Sequence, residues 1–134
     1  MTQLTPLIAI HMTAALLAVV TGPVALWARK GATQRPKLHR SFGYAWVTLM
    51  LIAAGSAFSI RGGDLPNIGG FSPIHLFIPV VLFGLVGAFW FLAKGNIRAH
   101  RRTMLGLYLG ACLGAGAFAL LPSRLLGQFL LGLA

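Results

Sequence analysis

The chain has 134 residues, 57% of them hydrophobic and only 9% charged, and its mean hydropathy is +0.84. That composition excludes a soluble domain of this size and describes one integral membrane domain. The net charge of +10 does not point to nucleic acid, because the basic residues gather at two short connections and no aromatic-interleaved basic surface is available for bases to stack on.

A helix needs about 20 apolar residues to cross the hydrocarbon core, and four stretches satisfy this. The first runs from Leu4 to Ala28. No basic residue precedes it and its charges follow it, so it reads as a retained helix rather than a secretory signal. Arg29, Lys30, Arg35, Lys37 and Arg40 come next, and the second span runs from Ser41 to Ile60. The connection from Arg61 to Pro73 holds Gly62, Gly63, Pro66, Gly69 and Gly70 and reads as a turn-rich loop. It also contains Asp64, the sole acidic residue of the chain. With no carboxylate left for the spans, a proton- or cation-coupled carrier is excluded as the first reading.

The third span is Phe71 to Ala93, in which Pro79 removes the hydrogen bond due to the His75 carbonyl and is expected to kink the helix. Lys94, Arg98, Arg101 and Arg102 lead into the fourth span, Thr103 to Leu121. There Gly106, Gly110 and Gly114 recur every four residues, a pattern that admits a neighbouring backbone or a flat ligand. Cys112 stands alone and forms no intrachain disulfide. After Pro122 and Ser123, residues 123–134 read as a short interfacial helix or a frayed extension of the fourth span. Nine of the eleven basic residues lie in the first and third connections. The positive-inside rule therefore places both connections in the cytoplasm and both termini outside, in a multi-pass membrane protein, and a bacterial inner (plasma) membrane is the location expected.

The fold expected is all-α, an integral membrane four-helix bundle built from two repeated helical hairpins. Ile10-His11 matches Ile74-His75 at an offset of 64 residues, and Leu38-His39-Arg40 matches Ala99-His100-Arg101 at an offset of 61. Taken singly, His39 and His100 read as solvated interfacial residues among arginines, and His11 and His75 as hydrogen-bonding groups between helices. Together they form two layers, His11 with His75 near one face and His39 with His100 near the other, roughly 20 Å apart at 1.5 Å of helix rise per residue. Zinc or copper would demand further ligands that the chain lacks. Iron in a porphyrin needs only two axial nitrogens. No Cys-x-x-Cys-His run exists, so the group expected is haem b, two per chain, held without covalent attachment.

The His pairs, with the element Leu38-His39-Arg40-Ser41-Phe42-Gly43 opening a helix, resemble the di-haem transmembrane cytochromes of the cytochrome b561 family and small bacterial four-helix membrane proteins with His-Arg helix starts. The resemblance spans residues 4–121. It implies that His11 and His75 ligate one haem and His39 and His100 the other, and that Arg40 stands where the family usually has serine. Lys37, Arg40, Arg98, Arg101 and Arg102 are placed to pair with haem propionates or to set topology. Tyr44, Trp46 and Tyr108 would line the inner haem or a quinone head, or anchor the interface. The function expected is electron transfer across or along the membrane, as a transmembrane oxidoreductase with a quinone or small reductant as redox partner. The alternative is a haem-free assembly or scaffold protein whose histidines join helices. The lipid bilayer is the expected surround, nucleic acid is not a partner, and the oligomeric state, including a homodimer, stays open.

Overall fold

Prolines and small polar side chains set where the helices start. In the computed structural model, which describes residues 4–61, 68, 69, 71–121 and 125–132, helix α1 spans Pro6–Trp27, with Thr5 capping its first turn by accepting from the Ile8 amide at 3.3 Å. Proline at the first helical position suits a site where no amide hydrogen bond is needed, and the same device opens α2, Pro36–Ser59. A 3₁₀ turn, Pro73–Leu76, leads into α3, Phe77–Ala93. Asn96 caps α4, Ile97–Gly106, through the Ala99 amide at 3.1 Å. The helical path then continues through a π segment, Leu107–Cys112, into α5, Leu113–Ala119, and a short α6, Leu125–Leu130, follows.

Several helices begin earlier or later than hydropathy suggested. His39 and His100 lie inside the first turns of α2 and α4 rather than ahead of them, while His75 sits in the 3₁₀ turn before α3 rather than in a long helix. Hydropathy marks the segment that suits hydrocarbon, and a helix can run past that segment into the charged headgroup zone. Pro79 falls in the first turn of α3, where its missing amide costs little. Gly62, Gly63, Asp64, Pro66 and Gly70 of the second connection, and Pro122, Ser123 and Arg124, lie outside the described residues. The turn reading there is carried by Gly69, whose φ of 62° suits glycine, between the bridged residues Ile68 and Phe71.

Three helices, Pro6–Trp27, Pro36–Ser59 and Pro73–Ala93, are long and apolar enough to cross a membrane. Large apolar side chains point outward along them, with Phe83 77% and Val86 69% exposed. A surface of that kind belongs against lipid. α1 packs along α2, α2 against α3, and α3 against α4, while the π segment reaches back to α1. The interior is made of Ala18, Trp46, Met50, Ala54, Val81, Leu85, Leu107, Tyr108, Ala111 and Cys112.

Two glycines allow the closest approaches. A Cβ on Gly22 would stand 2.5 Å from the Tyr108 ring, and one on Gly84 would stand 2.5 Å from Leu107 Cδ2. Gly106 and Gly110 have open space where a side chain would project, and Gly114 meets only Phe77 at 3.9 Å. The four-residue glycine repeat is therefore not the seam between these helices. It lies in and beside the π segment, where missing side chains ease a widened turn.

Candidate functional site

The four histidines are each held by main-chain oxygen, in two different ways. At the basic end of the molecule, Nδ1 of His39 on α2 donates to the Ala25 carbonyl of α1 at 2.8 Å. Nδ1 of His100 on α4 donates to the Ala88 carbonyl of α3, also at 2.8 Å. A carbonyl only accepts, so the proton lies on Nδ1 and the lone pair on Nε2. Among the described residues neither Nε2 has a hydrogen-bond partner. Anchoring Nδ1–H on a carbonyl is the arrangement that orients a metal-ligating imidazole and raises its basicity.

The surroundings of these two contacts also recur. Ala25 and Ala88 are both buried, and beyond them Gly31 (φ 58°) and Gly95 (φ 77°) turn the chain back. Trp27 ends α1 and Trp90 lies in the last turn of α3, both exposed, with Arg35 stacked 5.6 Å from the Trp27 ring and Lys94 5.7 Å from the Trp90 ring. Amphipathic rings beside cations suit a membrane–water interface. Arg101 donates to the Arg29 carbonyl, joining the start of α4 to the end of α1, so part of its guanidinium is committed to the main chain. Arg40, Lys37, Arg98 and Arg102 are exposed.

At the opposite end His11 and His75 line one cavity of about 310 Å³, within the range of small-molecule and cofactor sites. Its walls are apolar, with Met12, Val19, Ile78 and Val81 among them, and Met50, Ala111 and Cys112 close it toward the interior. Nδ1 of His11 donates to the Ala53 carbonyl at 2.9 Å, with Ser56 Oγ at 3.1 Å. Ser56 turns its own hydroxyl proton to the Ile52 carbonyl at 2.7 Å. His11 Nε2 is again without a hydrogen-bond partner among the described residues.

His75 differs from the other three. Its Nδ1 accepts from the Ser72 amide at 3.1 Å, and its Nε2–H donates to the Ile60 carbonyl at 2.9 Å. Phe71 packs edge-on at 5.2 Å between ring centroids. The imidazole thus ties the end of α2 to the turn that starts α3. Turning it away would leave the buried Ser72 amide and the Ile60 carbonyl unpaired, at a cost of about 1–3 kcal/mol for each such group.

Between the two ends the interior is filled. Tyr108 donates to the Val19 carbonyl at 2.9 Å, and the indole of Trp46 lies beside Gly22. Trp46 and Tyr108, expected near the basic-end site, pack with α1 in this middle layer, and Tyr44 is 64% exposed. Sequence reasoning passed over Ser56 and Ser72 beside the histidines, the paired Trp27 and Trp90, and the π segment that brings Ala111 and Cys112 to the cavity. The tryptophans recur at an offset of 63 residues and were findable. The π widening has no sequence signature of its own beyond its glycines.

Haem can be weighed against this donor set. Three imidazoles present a lone pair on Nε2 with Nδ1–H fixed, and one apolar cavity holds a histidine of that kind. An imidazole of that kind has the donor chemistry of an axial haem ligand, and among the described residues no cluster of three or more His, Cys, Asp or Glu is found. No curated protein and no solved structure matches the chain. A family model described as a predicted membrane protein, DUF2306, matches residues 8–131, and the chain, with all four histidines inside the match, belongs to that membrane protein family.

Proposed function

We propose that the chain is a b-type di-haem membrane cytochrome that carries electrons across or along the membrane. The observation that carries this reading is the repeated anchoring at the basic end, where His39 and His100 each donate Nδ1–H to an alanine carbonyl of the preceding helix at 2.8 Å. Two helical hairpins forming one four-helix bundle are the architecture this repeat supports, with the helical path Ile97–Ala119 as the fourth crossing. The helices then alternate around a ring, so α1 faces α3 and α2 faces α4 across the diagonals. His39 and His100 share the basic end, and His11 and His75 share the cavity at the other.

Haem, when bound, supplies reversible one-electron chemistry at iron, and the protein tunes it through ligands, burial and charge. His39 and His100 would each offer Nε2, and the carbonyls of Ala25 and Ala88 keep the rings from turning. Arg40, Lys37, Arg98 and Arg102 stand at the same end to pair with propionates. Positive charge gathered there orients that end to the cytoplasm of a bacterial inner membrane, with both termini outside. A quinone or small reductant reaching either end is the redox partner this arrangement suits.

The test is substitution at the basic end. His39→Ala and His100→Ala should each remove or loosen the same haem, the double variant should add little, and the other haem should stay reducible. Loss of different haems in the two single variants would break the pairing. A second reading has its own support: all four imidazoles bond main-chain oxygen of another segment, as a scaffold protein using histidine to join helices would require. A colourless preparation from haem-replete cells would select it.

A further inference from the structure

The basic end of the molecule carries more positive charge than the chain can answer. Nine of the eleven basic residues lie in the first and third connections, while the sole acidic residue, Asp64, lies in the second. Two of those cations are also held together. Arg101 of α4 donates to the carbonyl of Arg29, just past the end of α1, so the seam between α1 and α4 fixes one guanidinium against the main chain that carries the other. Arg29 spends one N–H on Gln34 Oε1 at 2.8 Å, and both arginine side chains are exposed. Among the described residues no carboxylate stands between them, and like charges so placed repel.

We propose that this seam binds the headgroup of an anionic phospholipid, with Arg29 and Arg101 holding its phosphate between them. The planar fork of arginine matches phosphate oxygens and is more weakly hydrated than an ammonium. A lipid is favoured over a soluble anion by depth. Trp27, two residues before Arg29, is exposed and has Arg35 stacked on its ring, which marks the headgroup level. Further along the helical path from Arg101, Leu105 and Leu109 are 42% and 54% exposed and give acyl chains an apolar wall. A lipid phosphate at that level is already beside the site, whereas a soluble anion must be drawn from dilute solution against salt screening. Net negative headgroups are favoured over zwitterionic ones, because a choline or ethanolamine ammonium adds one more cation to the cluster. The site does not depend on the haem reading, which draws on Arg40, Lys37, Arg98 and Arg102.

The experiment uses the full chain purified in neutral detergent, stripped of lipid, and titrated with dioleoylphosphatidylglycerol or dioleoylphosphatidylcholine in mixed micelles, with bound lipid counted by native mass spectrometry. Phosphatidylglycerol should bind more tightly than phosphatidylcholine. Arg29→Gln keeps the carbonyl that Arg101 uses and removes only the cation; it should weaken phosphatidylglycerol about fivefold, the weight of about one cation at a membrane surface. Arg101→Lys, which keeps the charge and loses the fork, should weaken it by a smaller factor. Arg61→Gln, in the second connection, should leave it unchanged. Equal binding of the two lipids, or Arg29→Gln matching the unsubstituted protein, would overturn the proposal. So would displacement of the lipid by millimolar inorganic phosphate or by polyglutamate, which would mark a site for a soluble anion or for an acidic protein segment. Should Arg29→Gln fail to assemble, the comparison of lipids and the phosphate competition on the unsubstituted protein decide alone.

Discussion

Replacing Gly22 with alanine adds one methyl group 2.5 Å from Cδ2 and Cε2 of Tyr108 and 3.2 Å from Nε1 of Trp46. The tyrosine ring cannot simply swing aside, because its hydroxyl donates at 2.9 Å to the carbonyl of Val19, which lies three residues before Gly22 on α1. Trp46 behind it is only 5% exposed. Overpacking of this kind costs about 1–3 kcal/mol, and losing the tyrosine hydrogen bond adds about 1 kcal/mol. Alanine returns about 0.5–1 kcal/mol as the better helix former. The net expectation is a loss of about 1–3 kcal/mol, measured by reversible unfolding in mixed micelles against the unsubstituted protein. Gly110→Ala is the control, since its added methyl meets open space; it should be neutral or slightly stabilising. In a Tyr108→Leu background, Gly22→Ala should cost less by about 1 kcal/mol, because the clashing ring edge is gone. Equal effects at Gly22 and Gly110, or strict additivity with Tyr108→Leu, would refute the packing described here.

Asn96→Ala removes the side-chain acceptor of the Ala99 amide at the start of α4. It should cost about 1 kcal/mol and loosen the turn that carries His100, whereas Asn96→Asp should restore most of the loss in the same unfolding assay. Orientation is tested by cysteine at Ala32, an exposed position in the first basic connection. In a Cys112→Ser background it should be shielded from an impermeant thiol reagent in intact cells and labelled after lysis. Ready labelling in intact cells would reverse the orientation.

The presence of the long helices was legible because hydropathy measures transfer into lipid, which is what holds them in place. Their starts were not, because Pro36 and Asn96 open helices inside charged stretches that hydropathy reads as loop. The histidine positions were legible from spacing. Their chemical states were not, since each depends on which carbonyl the fold brings to the ring. His39 and His100 find Ala25 and Ala88 on neighbouring helices, while His75 finds the end of α2. The glycine repeat misled for a related reason. A four-residue period on one helix says that a groove exists, but the partner that fills a groove belongs to tertiary structure, and the close contacts fell to the isolated Gly22 and Gly84.

The central claim is that the histidines of this membrane protein hold haem rather than only joining helices. It is tested most directly by the reduced-minus-oxidised visible spectrum and haem-to-protein ratio of the purified full chain. The account predicts acid-acetone-extractable haem b at two per chain, with sharp low-spin bands from the basic-end pair. A ratio near zero in protein that is folded and membrane-inserted would contradict it.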